Sequence, residues 1–174
     1  MVSVSNTKIL CCCVLLLFAF GCRKESANPM EIRSVITRFY AQPQVGEGPA
    51  EDTNLMSVNL KKQLHAASEI TRQDEIRIQN SESPTDKPLL IEGAVFSGLY
   101  DGYSQFRIGT ITVKKDKAEV LMHFELGPEF KEDWVDTVEL ISEKGWKIDN
   151  VRFANKVSVF KDLKEKLDLT SGNR

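Results

Sequence analysis

The stretch KAEVLMHFEL, residues 117–126, alternates apolar and polar side chains almost without fault. Ala118, Val120, Met122, Phe124 and Leu126 fall on one side of a strand, and Glu119, His123 and Glu125 on the other, with Leu121 the exception. Successive strand residues point to opposite faces, so the pattern demands a sheet buried on one side only. SQFRIGTITVK, residues 104–114, precedes it across Lys115–Asp116, and so short a link joins antiparallel neighbours. GPEFKE leads to a third expected strand over 133–142, rich in β-formers. The turn SEKG, 142–145, then opens a fourth that runs through WKIDNVRF, giving a strand over 145–153.

Upstream the period is helical. Ile32, Val35, Ile36 and Phe39 form an i, i+3, i+4, i+7 stripe, with Met30 and Tyr40 at matching spacing, which predicts a helix over 30–41. Asn28 suits its N-cap and Pro29 its first turn, while Pro43, Gly46, Gly48 and Pro49 end it. A second helix is expected to start near Asp52 or Thr53, with Leu55, Met56, Leu60 and Leu64 on one side, and to continue after a break through Ile70 and Ile76. SESPTDK, 81–87, is a loop by composition. Residues 88–103, PLLIEGAVFSGLYDGY, carry the hairpin dipeptide Asp101–Gly102, yet glycines at 93, 98 and 102 favour an irregular loop with a short helical turn. Val157, Phe160, Leu163 and Leu167 make the apolar stripe of a closing helix. Helices followed by a run of strands give an α+β fold: N-terminal helices packed on a curved antiparallel sheet of four or more strands, plus a C-terminal helix.

The N-terminus reads as an address. The apolar run from Ile9 to Phe20 follows a single cation, Lys8, and is shorter than the roughly 20 residues that cross a bilayer. A basic flank, a short apolar run and the small residues Ala19 and Gly21 mark a signal peptide over 1–21. Cys11, Cys12, Cys13 and Cys22 are the four cysteines of the chain, so the sequence after Cys22 holds none. A lone thiol in an oxidising compartment is a liability, whereas a cysteine at the cleavage point has a use in thioether lipidation. AFGC, 19–22, resembles the lipobox of bacterial lipoproteins, with Ala19 where leucine is common and Phe20 where a small residue is common. Cleavage before Cys22 fits the lipoprotein peptidase, and the spacing also fits the ordinary one. The expected location is the bacterial envelope, lipid-anchored on the extracytoplasmic side. Residues 22–29 form a polar tether: the seven from Arg23 to Pro29, RKESANP, reach at most about 25 Å.

Residues 30–174 remain as one α+β domain. Without Lys8 the chain carries 22 Lys+Arg against 25 Asp+Glu, interspersed, and no basic stripe with aromatics, which excludes nucleic acid as an expected partner. The expected partners are a membrane, through a lipid on Cys22, and a protein.

A helix ending in RFY, 38–40, a later strand pair and a last hairpin closing as GWKIDNV, 145–151, resemble the cystatin-like, nuclear-transport-factor-2-like cone fold. More narrowly they resemble the bacterial lipoprotein family called domain of unknown function 3828, over about residues 30–155. Trp146, Ile148 and Asp149 are the most specific part. The resemblance implies a cone of sheet around the first helix. It implies no activity, because the wider fold hosts isomerases, dehydratases, binding modules and immunity proteins.

Two functions are therefore weighed. One is a non-catalytic interaction module whose contacts include Tyr100 and Tyr103, which flank the Asp101–Gly102 turn; these rings alternatively cover one end of the sheet. The other is a small cone-fold enzyme, isomerase or dehydratase-like, with His123 as general base and Asp136 of a neighbouring strand in an internal cavity. The alternative for His123 is a solvated strand face shared with Glu119 and Glu125, and His65, beside Lys61 and Lys62, belongs to the surface. Trp134 and Trp146 read as core. No HExxH or similar metal spacing occurs, and the glycines match neither a phosphate loop nor a dinucleotide fingerprint, so no metal and no cofactor is expected.

Overall fold

The computed structural model describes residues 28–41, 52–86, 93–127 and 132–170; Cys22, the expected signal peptide and most of the expected tether lie outside them. The fold is α+β. Helix α1 (Pro29–Tyr40) and helix α2 (Val58–Gln79) precede strands β1 (Gln105–Lys114), β2 (Lys117–Leu126), β3 (Glu132–Ser142) and β4 (Trp146–Arg152), and helix α3 (Leu163–Thr170) closes the chain. The four strands form one antiparallel sheet in the order β1-β2-β3-β4, the meander that their short links require.

Asn28 caps α1 by accepting the Met30 N–H at 3.0 Å, and Pro29 fills a first-turn position where its missing N–H costs nothing. Ile32, Val35, Ile36, Phe39 and Tyr40 are buried against the inner face of the sheet, on which Val120, Met122, Phe124, Trp134, Val138, Leu140, Ile148 and Val151 stand. Trp134 and Trp146 are both buried, and Phe39 touches Phe96 edge-on with ring centres 4.8 Å apart. The β1–β2 register shifts between Ile108 and Ile111, a bulge that lets both isoleucines face the core.

The second helix departs from the expectation in two ways. Residues 53–55 form a separate 3-10 turn, and α2 starts only after Ser57, whose hydroxyl accepts the Leu60 N–H at 3.0 Å. Leu55, at the end of the 3-10 turn, and Met56, in extended backbone that bridges Ile148 of β4, still reach the core. From Val58 the helix then runs unbroken to Gln79. At the C-terminus, Val157 and Phe160 precede the helix rather than ride on it. Asp162 accepts the Glu165 N–H at 2.9 Å and so starts α3 there, leaving Leu163 and Leu167 as its buried stripe. The Asp162 segment also bridges Arg152, and Phe153 donates its N–H to the Lys161 carbonyl at 3.0 Å, so the β4 edge is covered.

The sheet gives the molecule two distinct ends. At one, the β1–β2 and β3–β4 turns meet the beginnings of α1 and α2. At the other, β1 and β3 begin, β2 and β4 finish, and Tyr40 at the end of α1 packs on Phe106 and Phe124.

Candidate functional site

The segment 93–104, which enters β1 at this second end, is a loop of bends and turns without strand pairing. It is built on Asp136. Strand β3 places Trp134, Asp136, Val138 and Leu140 on the inner face, and Asp136 is fully buried there, opposite Met122. A carboxylate cannot stay among apolar groups unless donors replace its water. Three do: Gly98 N–H at 2.8 Å and Trp134 Nε1–H at 3.0 Å donate to Oδ2, and Ala154 N–H donates to Oδ1 at 2.8 Å. Burial pushes the carboxyl pKa up, and the hydrogen bonds from Ala154, Gly98 and Trp134 pull against it without cancelling it. Two of the donors are backbone amides of different segments, so one side chain ties the 93–104 loop and the chain after β4 to the sheet.

The same loop is fixed at further points. Tyr40 donates its hydroxyl to the Phe96 carbonyl at 3.1 Å, and Tyr103 donates its own to the Tyr40 carbonyl at 2.9 Å. Ala94 N–H donates to the Tyr100 carbonyl at 2.8 Å, and Lys166 of α3 reaches the Ala94 carbonyl at 3.1 Å. Gly98 has no room for a side chain: a Cβ there would lie 2.8 Å from Val157 Cγ2 and 3.1 Å from Asp136 Oδ1. Gly93, at φ +69°, is overlain by Tyr100, whose ring carbon would be 2.7 Å from an added Cβ.

The two tyrosines divide the roles open to them. Tyr103 is half-buried, its ring 4.6 Å from Phe124 and 5.9 Å from Tyr40, and covers the end of the sheet. Tyr100 stays 58 % exposed at the tip of a loop that is otherwise pinned from beneath.

His123 is not brought to Asp136. It lies one residue away in register, opposite Val135 and Arg107, and therefore on the outer face of the sheet, while Asp136 is on the inner one. Among the described residues the two side chains therefore stand on opposite faces of the sheet and do not form the paired acid–base arrangement. The imidazole instead rests over the β1 bulge, where a Cβ on Gly109 would meet Nε2 at 2.8 Å. Farther along the same outer face is an ion-pair set: Arg152 reaches Glu119 at 3.1 Å and Glu139 at 3.2 Å. His65 is exposed on α2.

A second polar centre is absent from the sequence reading. Ser57 Oγ donates to Asp149 Oδ1 at 2.6 Å, and Lys164 Nζ donates to Asp149 Oδ2 at 2.6 Å. Burial alone would raise the Asp149 pKa, but the Lys164 and Ser57 hydrogen bonds outweigh it and hold the carboxyl below its ordinary value. Serine, carboxylate and lysine here make a clasp rather than a nucleophile, since the buried Ser57 hydroxyl donates to Asp149 and accepts from Leu60. Among the described residues no group of three or more His, Cys, Asp or Glu is gathered as a metal would need, and no helix is long and apolar enough to cross a membrane. No protein-family model, no curated protein and no solved structure matches this chain.

Proposed function

We propose that this chain is a bacterial envelope lipoprotein, anchored on the extracytoplasmic side through a lipid on Cys22, whose domain is a non-catalytic interaction module that takes a protein partner on the 93–104 loop. One observation carries the reading: Tyr100 is exposed on a loop held rigid by buried hydrogen bonds to Asp136 and Tyr40. Binding costs less when the contact loop is already ordered, and tyrosine supplies large contact area with few rotors to freeze. A helix followed by an antiparallel meander also supports the cystatin-like class that the RFY and GWKIDNV segments resemble.

Fatty-acid labelling of the full chain tests the anchor: wild type takes up label and Cys22→Ser does not. Equal labelling of both proteins refutes it. Pull-down from solubilised envelopes tests the module. Tyr100→Ala is expected to lose at least about tenfold in captured partner, as a contact hot spot would, while His123→Ala retains it. Retention by Tyr100→Ala with loss by His123→Ala reverses the assignment.

A further inference from the structure

The opposite end of the domain gathers a surface that no single stretch of sequence displays. Lys114, Lys115 and Lys117 surround the β1–β2 turn, and Lys144 stands in the β3–β4 turn, while Lys147 just beyond it donates its ammonium to the Asn54 carbonyl at 2.6 Å. Ser142 N–H donates to the Asp116 carbonyl at 2.8 Å, which sets these two turns side by side. Lys115 and Lys144 stand in left-handed conformations, at φ 59° and 51°, at the tips. The acids supplied by the same segments and by α1 are Asp116, Glu143 and Glu31; of these, the Glu143 carboxylate already accepts the Val58 N–H at 3.0 Å. Asp149 lies near Lys117 but is held by Ser57 and Lys164.

Two apolar side chains are exposed beside the lysines. Met30, in the first turn of α1, is 75 % exposed, and Val58, at the start of α2, is 67 % exposed. Glu31 ties the start of α1 to this place, its Oε1 lying 3.5 Å from where a Gly145 Cβ would stand. The chain from Cys22 enters the domain here, since α1 begins at Pro29. A tether of seven residues reaches at most about 25 Å, so whatever holds Cys22 keeps this end within about that distance of it.

We infer that the turn end is a membrane-contact surface, in which Lys114, Lys115, Lys117 and Lys144 engage the phosphates of anionic phospholipids while Met30 and Val58 enter the headgroup layer. The inference rests on the Cys22 anchor. It adds that the domain is oriented on the bilayer and not merely leashed to it. Cations near an anionic leaflet gain from its surface potential, and shallow apolar insertion adds to the attraction.

The test uses the full chain purified from membranes and reconstituted into vesicles of phosphatidylcholine, with or without phosphatidylglycerol. Acetylation rates are read lysine by lysine by mass spectrometry. Lys115 and Lys144 are expected to react about fivefold more slowly on phosphatidylglycerol vesicles, with the difference fading in high salt. Lys161, exposed at the other end, is expected to be unchanged. The Lys115→Glu/Lys144→Glu double variant, checked by its melting temperature, is expected to lose the effect as read at Lys114. The mass of the N-terminal peptide reads the anchor separately. An unmodified Cys22 defeats the anchor and this surface with it. A lipidated Cys22 with equal rates at both ends, or with no dependence on phosphatidylglycerol, defeats the surface alone.

Discussion

At the scale of single residues, Asp136 and Asp149 are both carboxylates withdrawn from water, and their neighbours send them in opposite directions. Asp136 presents acceptors to three N–H donors. Asp136→Asn would turn an amide NH₂ toward one of them and leave a buried donor unmatched, a loss of about 1–3 kcal/mol. Urea denaturation of the two proteins at neutral pH measures it, and an unchanged midpoint would show that the loop does not depend on this carboxylate. Asp149 is the reverse case: its pKa is lowered in the folded state, so its stabilising contribution is present above the unfolded carboxylate value and is lost as pH falls through the folded one. Asp149→Asn is expected to cost about 1–2 kcal/mol at pH 7. The gap from wild type should narrow as the pH drops below about 4. A gap that stayed constant to low pH would mean the clasp works without charge. Any change in Asp136 ionisation is common to both proteins and cancels in the difference.

At the scale of elements, much of the fold was legible because periodicity reports burial directly. The alternation through 117–126 and the stripe from Ile32 to Phe39 placed β2 and α1 to within a residue or so. The boundaries of α2 and α3 were harder to read, because an apolar stripe continues into the turns and bends that lead to each helix. Met56 and Phe160 pack on the core from outside their helices, and the caps Ser57 and Asp162 decide where the turns begin. The site was half legible. Tyr100 and Tyr103 could be singled out from the Asp101–Gly102 turn, but which ring is buried depends on the Tyr40 carbonyl, distant in sequence. The inward position of Asp136 was readable in its alternation with Trp134, Val138 and Leu140; its partners Gly98 and Ala154 were not, since they are backbone groups without side-chain signature. Phe39 joins α1 to both the sheet and the loop through Phe96, so Phe39→Ala is expected to cost about 3–5 kcal/mol. Thermal or chemical unfolding checks this, and a loss under about 1 kcal/mol would place Phe39 outside the cooperative core.

At the scale of the molecule, the account is one of polarity. Strands of 10 residues at about 3.3 Å each separate the two ends by about 30 Å. The lysine-rich turns and the start of α1 occupy one end, and the Tyr100 loop the other. On a chain anchored as proposed, this holds the proposed partner-binding loop clear of the headgroups, a division of labour that a symmetrical domain would not provide. Photocrosslinking in intact membranes tests it most directly. Tyr100 in one full-length protein and Lys115 in another are replaced by a photoreactive phenylalanine analogue, and the adducts are identified by mass. The account predicts phospholipid adducts at position 115 and a protein adduct at position 100. Phospholipid adducts at position 100, with protein or no adduct at position 115, would contradict it.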